Sequence, residues 1–351
     1  MPKAPRYSTI SLILLVILGV GWYVLRDDAP EPPQTLKHSY TKALEQAHNG
    51  LPGAARVLYQ QLARSDLSDV RRASLHAELP NYPSPQALKL ADADLQHPSP
   101  LVRQAAIDSV VGLVPGPQRS LLLGPLLSDD DHRIRFAAAK AMLGLGPDEL
   151  GLYYGPLQTV LDEYVRVLQA ELDDGPAQLL LARLYLHDGA YPEALAALQR
   201  CLTLTPDDLD AVALQVQVLE RQGQTDQSRQ VLADQLIRHP DSAFLQHELG
   251  LWLLRHGQSE YALLAFARAL ELEPDNSQYR YTLATSLHDL EQVEAAQKQL
   301  EAILAQQPAN RKARLLLISY WKETGQLQNV QVLLAQLEQQ NPDDPILQQG
   351  L

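Results

Sequence analysis

Apolar positions recur with a helical period of about 3.6 residues along the chain from residue 36 to residue 342, in runs of ten or more, and no stretch alternates with the period of two that a strand requires. The fold class this predicts is all-α. Two slower rhythms are laid over the helical one. In residues 175–342 small and bulky positions return every 34 residues, and the clearest unit reads Leu249-Gly250, Leu253, Gly257, Ala262, Phe266, Ala269 and Pro274. Its small residue lets two helices approach and its second glycine breaks the first of them. Ala, Phe and Ala form the inner stripe of the second helix, and proline ends it. Each unit is therefore one helix-turn-helix hairpin.

The closing prolines fall at Pro206, Pro240, Pro274, Pro308 and Pro342, which gives five units without a slip. The turn position is Gly189, Gly223, Gly257 and Gly325 in four of them and Glu291 in the fifth. In the second helix the small place is taken by Ala194, Ser228, Ala262, Ala296 and Val330, and the bulky one by Leu198, Leu232, Phe266, Leu300 and Leu334. A chance helix would not hold five prolines and four glycines in phase, and the pattern resembles the tetratricopeptide repeat family. The resemblance implies a right-handed α-solenoid whose first helices line a concave groove for a protein or peptide partner.

The groove positions that follow are Leu179, Arg183 and Leu186 in the first hairpin; Asp210, Ala213, Gln217 and Glu220 in the second; and Phe244, His247, Leu251 and Leu254 in the third. The fourth supplies Gln278, Tyr281, Thr285 and His288, and the fifth Lys312, Leu315, Ser319 and Lys322. Phe244, Leu251, Leu254 and Tyr281 are large apolar groups on a face that should be wet unless something covers it, so they point to a partner. The lysine and asparagine set with which some chaperone-docking members clamp a terminal carboxylate is missing from these positions.

A different rhythm runs upstream, where Val70-Arg71, Val102-Arg103 and Ile134-Arg135 are spaced by 32 residues, each pair just ahead of small residues that open a helix. A break with Asp or Pro precedes each: Asp66, then His97-Pro98-Ser99-Pro100, then Asp129-Asp130-Asp131. This resembles the HEAT-type repeat, which implies that the arginines reach acidic turns and play a structural part. Leu36 to His48 and Gly53 to Leu62 read as two capping helices around an Asn49-Gly50 turn. Residues 36–148 are thus expected to be HEAT-like, 149–174 a connecting helix over Leu157 to Glu171, 175–342 the five hairpins and 343–351 a tail, all in one continuous solenoid.

Residues 8–25 carry no charge and eleven Ile, Leu or Val. At about 1.5 Å per residue they reach roughly 27 Å, close to the hydrocarbon thickness of about 30 Å. Lys3 and Arg6 precede the run, and Asp27 and Asp28 follow soon after it, so the expected topology is a single uncleaved transmembrane anchor. It puts residues 1–7 in the cytoplasm and the repeats in the periplasm of a bacterial inner membrane. The apolar run continues through Trp22 to Leu25, which disfavours a cleaved signal. Proline-rich residues 26–35 would hold the folded part off the bilayer.

Net charge changes the picture only by exclusion: −13, from 29 basic and 42 acidic residues with no basic cluster, argues against nucleic acid. Cys201 is the only cysteine, so there is no internal disulfide, and it sits at an inner small position of a hairpin as a core thiol. No two of the ten histidines lie three or four apart, and neither a nucleophile elbow nor a phosphate-binding glycine loop is present. No catalytic residues, metal or cofactor are expected.

Taken from Leu36 to Pro345, the order of repeats resembles the C-terminal extension of certain bacterial multihaem c-type cytochromes. The matching words are Pro98 to Ala106, Glu163-Tyr164 and Glu248 to Gly257. No Cys-x-x-Cys-His occurs, so any such relative is haemless. The function expected is a membrane-anchored scaffold that docks a partner in the groove. The alternatives are an accessory factor for c-type cytochrome biogenesis or for an electron-transfer complex, or a structural subunit of an envelope complex.

Overall fold

Short breaks carrying Ser, Asp, Asn or Pro precede most helices of the first part of the chain and every first helix of the hairpins. The computed structural model describes residues 39–348, and the apolar run 8–25 and the linker 26–35 lie outside them. Among the described residues no strand occurs, and no helix is long and apolar enough to cross a membrane. The first part of the chain forms α1 (Tyr40–His48), α2 (Ala54–Leu62), α3 (Asp69–Glu78), α4 (Pro85–Asp94) and α5 (Pro100–Leu113). It continues through α6 (Gly116–Leu123), α7 (His132–Ala141), the single turn α8 (Pro147–Leu150) and α9 (Tyr154–Ala170). Ser84 caps α4 by accepting from Ala87 N, and Asp131 caps α7 by accepting from Arg133 N. The triple-aspartate turn is thus a helix start.

An arginine ladder ties these helices together, with one shift from the expected register. Arg103 donates to Asp129 at 2.8 Å and Arg135 to Glu163 at 2.5 Å, while Val102 and Ile134 beside them are buried. In the first unit it is Arg72, not Arg71, that reaches Asp94, at 2.9 Å, and the carbonyl of Leu62. Val70 is 66% exposed and Arg71 lies over the Tyr40 ring. The equal spacing of 32 therefore misaligns this unit by one residue.

Five hairpins follow: α10 (Gly175–His187) with α11 (Tyr191–Leu204), α12 (Leu209–Arg221) with α13 (Thr225–Arg238), and α14 (Ala243–Arg255) with α15 (Ser259–Leu272). The last two are α16 (Ser277–Asp289) with α17 (Val293–Gln306), and α18 (Arg311–Glu323) with α19 (Leu327–Gln340). Each first helix is capped at the same place of the repeat, by Asp174, Asp208, Ser242, Asn276 and Asn310 in turn, the last four lying two residues after a closing proline. The four turn glycines have φ between 71° and 76°, and Glu291 adopts φ 59° in their place. Cys201 is buried at the inner stripe of α11. Gly250 in α14 lies against the Phe266 ring so closely that a methyl group would clash with it.

One apolar core runs from Ala47 through Leu150, Leu157 and Leu168 to Val218, so α9 is packed into both halves. Beyond α12 the core divides into smaller clusters around Trp252 and around Phe266 and Leu300. The described residues from Tyr40 to Gln348 belong to one compact unit, and its two ends meet. Gly53 N donates to Gln339 O at 2.7 Å, and the Asn341 amide donates to Pro83 O at 2.8 Å across 258 residues of sequence. Gly50, at φ 58°, presses on the backbone of Pro308 and Ala309. Residues 343–348 continue the 34-residue phase: Asp344 takes the cap place 34 after Asn310, accepts from Ile346 N, and starts α20 (Pro345–Gln348).

Candidate functional site

The first helices of the hairpins turn successive rows of side chains inward, and these rows form two separate hollows rather than one groove. The first, of about 340 Å³, lies across α10, α12 and α14 and is lined by Arg183, Asp210, Ala213, Leu214, Gln217, Phe244, Glu248, Leu251 and Arg255. Arg183, Asp210 and Gln217 are exposed, and none of them has a partner among the described residues. Phe244 and Leu251 are half-buried, with one side packed on the core. Leu179 and Leu186 pack against the main core beside this hollow. Glu220 is held by Arg255 at 2.8 Å.

The second hollow, about 580 Å³, is lined by Tyr281, Arg311, Lys312, Leu315, Leu316 and Ser319 on one side and by Pro80, Asn81 and Gly112 on the other. It exists because the chain closes. The Lys312 ammonium lies 4.2 Å from the centre of the Tyr281 ring, and burial pushes the Tyr281 phenol above its ordinary pKa.

Most of the remaining groove positions are engaged in packing or in contacts with neighbouring helices, while Gln278 and Lys322 are exposed. His247 is buried, with its ring 4.8 Å from that of Tyr279 and its Nε2 3.2 Å from the Thr282 hydroxyl. Leu254 packs on the core around Phe266, and Thr285 donates to Thr282 O. His288 stacks on Tyr320 at 3.8 Å and sits 2.7 Å from Glu323. Burial lifts the Tyr320 phenol to about 12, helped by Asp289. Lys322 has no partner among the described residues.

Glu248 and Arg255 are lining residues that the repeat positions alone do not mark. A signal for such pairs is present in the sequence, since Glu220–Arg255, His247–Thr282 and His288–Glu323 are each 35 residues apart. One repeat plus one residue faces a side chain across adjacent first helices. The outer side carries a further apolar cleft of about 450 Å³ between α13 and α14, with Leu236, Leu249 and Leu253 in its wall and Ile237 78% exposed at its edge. Ser228 fills the small position of α13 there and accepts from Trp252 Nε1 at 3.0 Å.

One trio has the composition of a hydrolase site. Ser109 Oγ lies 2.9 Å from His76 Nδ1, and His76 Nε2 lies 2.8 Å from Asp94. All three are buried, Ser109 also donates to the carbonyl of His76, and Asp94 holds Arg72, so the trio serves the arginine ladder. Among the described residues no three His, Cys, Asp or Glu are grouped to hold a metal.

A tetratricopeptide repeat family model matches residues 186–247, and a second model of the same description matches 161–208 and 281–329. No curated protein matches the chain. Among solved structures, TTC0263, a tetratricopeptide repeat protein of Thermus thermophilus, is 22% identical with a TM-score of 0.41, covering 58% of this chain and 98% of its own. YrrB, described as a tetratricopeptide repeat protein with an unusual peptide-binding site, is 18% identical with a TM-score of 0.36, covering 52% and 95%. MamA is 13% identical with a TM-score of 0.38, covering 51% and 92%.

Proposed function

We propose, from the premise that the chain carries tetratricopeptide repeats, that it is a binding scaffold for a protein segment laid across the first three hairpins, and that residues 8–25 hold it at a bacterial inner membrane with the repeats on the periplasmic side. The observation that carries the binding reading is the inner hollow where Arg183 and Asp210, unpaired among the described residues, flank Phe244 and Leu251. A free cation and a free anion beside half-buried apolar groups fix the direction of an extended or helical segment, and the apolar contacts supply the affinity. Gln217 adds a side-chain amide that can pair with a backbone. Holding a partner near the membrane raises its effective concentration for a neighbouring step, so the work is done by mass action and no catalytic residue is assigned.

Peptides selected by display on the full chain test the groove. Arg183→Glu with Asp210→Lys changes two exposed side chains, so the fold should be kept while affinity falls about tenfold or more. Selected peptides that bind this variant as well as the parent would place the binding surface elsewhere. Membrane placement is tested separately. A reporter enzyme active only in the periplasm, fused after residue 348, should be active, and deletion of residues 8–25 should release the protein from the membrane fraction.

A further inference from the structure

We propose that the hollow between α18 and the turn after α3 binds a small carboxylic acid with an apolar body. The site shares no lining residue with the groove of the first three hairpins, so the two readings stand or fall separately. Its charge is unbalanced in a specific way. Arg311 is spent on Asp344, to which it donates twice at 2.7 Å. Arg314, one turn further in, is buried and donates only to neutral acceptors, Gln340 Oε1 and Pro308 O. Lys312, between them in sequence, has an aromatic ring beneath it and no acid within ion-pair distance among the described residues. Three cations in four positions thus have one carboxylate in direct contact. Of the two left over, Lys312 is the exposed one, and a ligand anion could reach it.

The rest of the lining says what that anion carries. Leu315, Leu316, Pro80 and the Tyr281 ring offer apolar surface, and the Asn81 amide, which has no partner among the described residues, offers one polar group on the facing wall. A peptide running on from its terminal carboxylate would need a partner for each buried backbone amide, and these walls do not provide them. A compact acid needs only the cation, one amide and the apolar wall. The volume of about 580 Å³ lies in the range typical of small-molecule sites.

The test is calorimetric titration of the full chain with 4-phenylbutyrate, with its neutral amide, and with the acetylated dipeptide Phe-Leu as its free acid. Phenylbutyrate should bind, and the amide should bind at least about tenfold more weakly, because it cannot form the charge-assisted contact. Lys312→Gln, at an exposed side chain, should weaken phenylbutyrate binding by a similar factor. Ser319→Trp, which fills the hollow from its exposed edge, should abolish it, and Arg183→Gln should leave it unchanged. Any one of three results would overturn the proposal: no binding of phenylbutyrate, binding indifferent to both Lys312→Gln and Ser319→Trp, or the dipeptide acid binding as tightly as phenylbutyrate.

Discussion

Glu291 stands where the other four hairpins have glycine, and it is the only described non-glycine residue with positive φ. A Cβ in that left-handed conformation costs about 1–2 kcal/mol. Glu291→Gly should therefore raise stability by about 1 kcal/mol, seen in thermal melting as a rise of roughly 2 °C, and an unchanged or lower midpoint would show that the turn is not strained. Asp94 gives a pH dependence tied to the arginine ladder. Burial alone would lift its carboxyl, but the hydrogen bonds from His76 and Arg72 outweigh it and hold the group below the ordinary value. With an unfolded-state pKa of about 3.9, its contribution is complete above about pH 4 and is lost as pH falls through the lower folded value. Asp94→Asn should cost roughly 3–5 kcal/mol, since it leaves Arg72 unpaired, and should flatten the fall of melting temperature below pH 4. At this scale the sequence was readable wherever a residue type answers a backbone demand, as at Gly189 or Pro206. It was not readable at Arg71 and Arg72, where two adjacent arginines compete for one carboxylate: Arg72 takes Asp94, Arg71 lies over the Tyr40 ring, and Val70 is left exposed.

Between elements, the spacing of 34 makes the hairpins legible, and the spacing of 35 carries the pairs that face one another across them. Hairpin two is the weak member. In α13 the only buried side chains are Ser228, Leu232 and Gln235, and here the apolar core stops being continuous. Ser228 compensates by accepting the Trp252 indole N–H of the next hairpin. Ser228→Ala keeps the small size but strands a buried donor, so it should destabilise by about 1–3 kcal/mol where alanine at the same place elsewhere in the array is benign. Denaturant unfolding checks this. A loss below about 0.5 kcal/mol would mean that the two hairpins are joined by shape alone. The same thin helix leaves Ile237 and the outer cleft open, a consequence visible in the composition of α13, with its Asp, Gln and Arg, only once its neighbours are known.

The whole molecule adds what no repeat length encodes, because closure is made by single contacts between distant segments. Asn341 meets Pro83, Gln339 meets Gly53, and Gly50 lies on Pro308 and Ala309. Tyr59, buried beside this junction, has its phenol pushed up to about 12, first by burial and then by Asp343 and Asp344. Apart from Pro308 these residues are not part of the repeat pattern, so the hairpins could be counted from the sequence while the meeting of their ends could not. Closure also divides the inner face, since the second hollow has one wall in each half. If the ends meet in solution, the Gly53 amide, bonded to Gln339 O, should exchange its hydrogen slowly. In Gly50→Val, a substitution strained by its positive φ and opposed by the Pro308–Ala309 backbone, that amide should exchange at least about tenfold faster, while amides of α15 keep their protection. The radius of gyration from small-angle scattering should rise in the same variant. A Gly53 amide already fast in the parent would mean an open array, and the carboxylate site, which needs Asn81 opposite Lys312, would lose its second wall.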